Sequence, residues 1–118
     1  MTVAAAEPTG QPSSMPDIRA QAIRWISDDF PGFVECRFSD VWGITHLVHE
    51  KVPVVTTLSV DARTLLPVDV LLACELISVR VEGACAVVTV TTEKPWAIDS
   101  TAGLSRFELA PDQLGEDE

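Results

Sequence analysis

A chain of 118 residues, 47% of them hydrophobic, is long enough to build one core and too apolar to stay unfolded. A formal net charge of −10 excludes the basic surface that nucleic acid and anionic lipid both require, and no apolar run approaches the roughly 18 residues of a membrane-crossing helix. Three widely spaced cysteines, Cys36, Cys74 and Cys85, do not make the even framework of a secreted scaffold, and the start MTVAAAEP has neither the basic end nor the apolar middle of a secretory signal, so the expected setting is cytoplasmic with reduced thiols.

Residues 1–16 contain Pro8, Gly10, Pro12, Ser13, Ser14 and Pro16 with almost no large apolar side chain, which predicts a disordered leader. Residues 111–118, PDQLGEDE, predict an acidic disordered tail, leaving a β domain at 17–110. Both ends are expected to be dispensable for folding. Five of the 18 acids (Glu7, Asp112, Glu116, Asp117 and Glu118) lie in these ends, so the domain itself carries 13 acids against 8 bases.

Residues 18–26 mix β-branched and aromatic residues and stop at Ser27-Asp28-Asp29, which predicts a strand, with a short helix as the alternative. In residues 33–39, Val34, Cys36 and Phe38 alternate with Glu35, Arg37 and Ser39, the mark of a half-buried strand. Asp40-Val41-Trp42-Gly43 supplies a tight turn, and residues 44–51 return as the second arm of a hairpin. A three-residue loop at 41–43 sets Glu35 opposite His49 and Phe38 opposite His46. Residues 52–67 stay open between an edge strand at 54–58 and a single helical turn at 61–66.

Residues 68–81 and 84–93 predict a long hairpin about Glu82-Gly83, in which Ile77, Val79 and Val81 share an apolar face with Ala84, Ala86 and Val88. Glu is a mediocre residue for that turn, so a slip of one position is the alternative register. A last short strand falls at 104–109, after the turn residues 99–103. Five to seven strands with no long helix predict an all-β fold, a small antiparallel β-barrel or sandwich.

Motif chemistry is sparse. The six glycines are scattered singly, with no phosphate-cradling GxGxxG or GxxxxGK[ST] pattern. His46 and His49 lie three apart on a strand and point to opposite faces, where a metal pair needs a spacing of two or four, and Cys74 and Cys85 sit too far apart along the hairpin to share a ligand. No metal or cofactor is expected. The Glu35–His49 pair is the one His–carboxylate constellation, read first as structural. Trp42 at a hairpin tip is the residue most costly to expose without a use, against the alternative that it folds back over its own hairpin.

Residues 23–25 (IRW), 31–36 (PGFVEC), 40–43 (DVWG), 73–75 (ACE), 95–96 (PW) and 105–107 (SRF) together resemble a group of small, acidic, uncharacterised bacterial proteins. That resemblance implies a compact β fold and carries no activity. The expected function is a non-enzymatic domain that binds another protein through Trp42, with a basic partner the one its charge would suit. The alternatives are an immunity-type inhibitor of a basic toxin, or a ligand-binding or enzymatic barrel with a pocket near Glu35, His49 and Glu75.

Overall fold

The computed structural model describes residues 16–56 and 66–115, so all of the expected leader at 1–16 except Pro16, and much of the open stretch at 52–67, lie outside the described residues. The chain forms strands β1 (Asp17–Ser27), β2 (Phe33–Ser39) and β3 (Thr45–Lys51), then a one-turn helix α1 (Val52–Val55). Strands β4 (Val68–Ala73), β5 (Glu75–Glu82), β6 (Cys85–Thr91), β7 (Arg106–Leu109) and β8 (Leu114–Gly115) follow, the last preceded by a 3-10 turn at Pro111–Gln113. The sequence thus breaks as alternation and turn chemistry dictate. Gly32 between β1 and β2 takes a φ of 92°, and a Cβ there would meet the Trp25 ring at 3.1 Å, so glycine is required on both counts.

Among the described residues all pairing is antiparallel. One sheet runs β3-β2-β1-β4, with β8 also on β1, and the other runs β5-β6-β7. Among the described residues neither sheet closes, which makes the fold sandwich-like. The chain passes between sheets at Cys74, whose N–H bonds the carbonyl of Pro16 at 3.0 Å, so β4 and β5 are two halves of one bent strand. Buried Ile18, Val34, Val48 and Leu72 of the first sheet pack with Val90 and Leu109 of the second. Phe38 and Phe107 meet edge to face at 5.0 Å, an aromatic contact between the layers.

The all-β antiparallel architecture holds, with eight strands among the described residues where five to seven were expected. The extra strands come from the break at Cys74 and from β8, within the segment read as tail. Hydrogen bonding supplies what that segment lacks in apolar residues: Leu114 and Gly115 pair with Ile18 and Asp17, and the Gln113 side chain donates to the Ser39 carbonyl. In the long hairpin the turn is Gly83-Ala84, not Glu82-Gly83, because Gly83 takes the positive φ of 61° at the first turn position. Glu82 therefore faces Cys85 and Val79 faces Val88, while a bulge between Leu76 and Ser78 resets the pairing at the base. Of the expected apolar face only Val88 and Val90 of β6 are buried, with Ala86 partly so and Ala84 exposed in the turn. Ile77, Val79 and Val81 are exposed, and so is Cys85.

Candidate functional site

The β2–β3 hairpin has the register derived from its sequence, with Glu35 opposite His49 and Phe38 opposite His46. Asp40 organises its tip. One carboxylate oxygen, Oδ1, accepts the backbone N–H groups of Trp42 and Ile44, each at 2.9 Å, while Oδ2 lies 2.9 Å from His46 Nε2. Gly43 turns the chain with a φ of 83°. Burial acts to raise the Asp40 carboxyl, but the hydrogen bonds from His46, Ile44 and Trp42 outweigh it and hold the group below its ordinary value.

The tip is then fastened to the other sheet. Val41 N–H donates to the Glu108 carbonyl at 2.8 Å, which seals the outer edge of β7. Trp42 Nε1 donates to Glu108 Oε1 at 2.8 Å, and Arg80 Nη1 donates to Glu108 Oε2 at 2.9 Å. Arg80 Nε reaches Glu82 at 2.7 Å as well. The Trp42 and Arg80 hydrogen bonds lower the Glu108 carboxyl. Despite these ties Trp42 keeps 54% of its surface exposed, and Ile44 beside it keeps 56%. The ring is held at its nitrogen and open along its apolar body.

On the outer face of the first sheet, Glu35 is buried and pairs with Arg24 at 2.5 Å, with His49 Nε2 at 3.7 Å. Glu75 is not part of this group: it begins β5 in the other sheet, opposite Thr91. A groove of about 920 Å³ opens beside β4, lined by residues including Arg19, Val54, Asp69, Leu71 and Trp96, and Glu35, His49 and Glu75 are not in its lining. Among the described residues no three His, Cys, Asp or Glu side chains gather as a metal site would require. Burial pushes the Cys36 and Cys74 thiols up to about 12, where they are protonated and poor nucleophiles.

Arg80 and Glu108 were not singled out in the sequence. Each is one polar residue in an alternating strand, and only the topology, which lays the β2–β3 tip across β7, brings them to Trp42. Comparison of the chain with family models, with curated proteins and with solved structures finds no match.

Proposed function

We propose that this chain is a non-enzymatic β-sandwich that binds another protein through the β2–β3 tip, with Trp42 as the anchor. The observation that carries the reading is the combination of a half-exposed indole with three fixing contacts: its ring nitrogen on Glu108, its backbone N–H on Asp40 and its neighbour Val41 on β7. Such a side chain loses little rotamer freedom on binding, the general reason that tryptophans serve as interface anchors. Ile44 widens the apolar body, and the carboxylates of Asp40 and Glu108 lie against Trp42 through its backbone and ring N–H groups. With a net charge of −10, the partner chemistry that fits is a basic protein carrying an apolar pocket, and inhibition of a basic toxin is the narrower form of this reading.

The test is Trp42→Ala. The melting temperature is expected to fall by only a few degrees, equivalent to about 1 kcal/mol, while affinity for a captured basic partner falls by about 2 kcal/mol, roughly thirtyfold. A loss of about 3 kcal/mol in folding stability instead makes Trp42 a lid on its own hairpin and overturns the proposal.

A further inference from the structure

We propose that the open edge of β5 is a self-association surface, taken by β5 of a second copy running antiparallel to it. β5 ends the sheet β5-β6-β7, and among the described residues no strand pairs its outer side. The two-residue turn closes on the Glu82–Cys85 pair, so antiparallel alternation directs the backbone groups of Glu82, Arg80 and Ser78 into β6 and those of Val79 and Val81 outward. Their side chains are open too: Ile77, Val79 and Val81 are 40%, 57% and 74% exposed. The strand carries no proline and no lysine, two of the devices that commonly blunt an exposed edge.

Charge selects the occupant and the register. A twofold axis at Val81 sets Arg80 of each copy opposite Glu82 of the other, Val81 opposite itself and Val79 opposite Gly83. An axis at Arg80 opposes two guanidinium groups, and an axis at Val79 opposes Glu82 to Leu76, so of these three registers the Val81 one sets Arg80 against Glu82, while Glu75 lies beyond the paired stretch. Arg80 and Glu82 already form a partly exposed pair within the strand, so exchanging partners between copies strips water from no lone charge. The chain preceding Pro16, which leaves beside Cys74, is a poorer strand for this edge, since prolines at 8 and 12 donate no hydrogen bond.

Sedimentation of the full chain between about 10 μM and 1 mM reads the association. A reversible dimer is expected, abolished by Val81→Lys with an unchanged melting temperature. Arg80→Glu and Glu82→Arg, each alone, place like charges across the axis and weaken self-association about tenfold, and an equal mixture of the two variants restores it, because each then meets its opposite. Amide exchange at Val79 and Val81 in the unaltered protein slows as concentration rises, a readout that stands even where Arg80→Glu disturbs folding through its contact with Glu108. Trp42→Ala leaves the dimer intact, which separates this surface from the partner site. A monomer at 1 mM, a mixture no tighter than either variant, or protection of the two amides that is the same at every concentration overturns the proposal.

Discussion

Asp40 accepts hydrogen bonds from two backbone amides and faces His46, so one carboxylate fixes both the hairpin tip and the ring that packs between Phe38 and Phe107. Its folded pKa lies below the ordinary value, burial being outweighed by the hydrogen bonds from His46, Ile44 and Trp42. A carboxylate of this kind contributes its stability in full above the unfolded pKa and loses it as pH falls through the folded one. Asp40→Asn is therefore expected to lessen the loss of stability below about pH 4, measured by urea unfolding at neutral and acid pH. An acid limb identical to that of the unaltered protein rules out Asp40 as a contributor. At neutral pH, Asp40→Ala is expected to cost about 1–3 kcal/mol, since two amides and His46 lose their acceptor.

Elements divide by how local their information is. The β2–β3 hairpin was legible to the residue, because Asp40 and Gly43 set the loop and strict alternation set the register. The β5–β6 hairpin was legible in its faces only for Val79 and Val81: past the bulge Leu76, not Ile77, continues the face opposite Val90, the turn has Gly83 and not Glu82 at its first position, and the burial was not legible at all. Alternation reports which side a residue points to, and it does not report whether another layer covers that side. Val88→Ala, on the covered half, is expected to cost about 1–3 kcal/mol, and Ile77→Ala, on the open half, less than about 1 kcal/mol. Equal losses in denaturant melts would show that β5 is covered after all. Of the candidate residues, Glu35 and His49 were brought together by a register the sequence contains, whereas the Trp42–Glu108–Arg80 contacts cross between sheets and leave no periodic trace.

At the scale of the molecule, the ends of the described chain are structural. Removing residues 111–118 deletes β8, the Leu114 side chain packed on the core and the Gln113 bonds to Ser39 and Ala110. A drop of several degrees in melting temperature is expected, equivalent to about 1–3 kcal/mol, and a shift within error would return this segment to the status of a dispensable tail. The sequence hid this because a strand of two residues has no period to detect. The same ladder orders the folding of the chain in time. Asp17 and Ile18 gain β4 on one edge but wait on the other for partners at 114–115, so a nascent chain leaves that end of its central strand open until nearly one hundred further residues have been made. Such long-range closure slows folding, with the first residues of β1 open on one edge until β8 is in place.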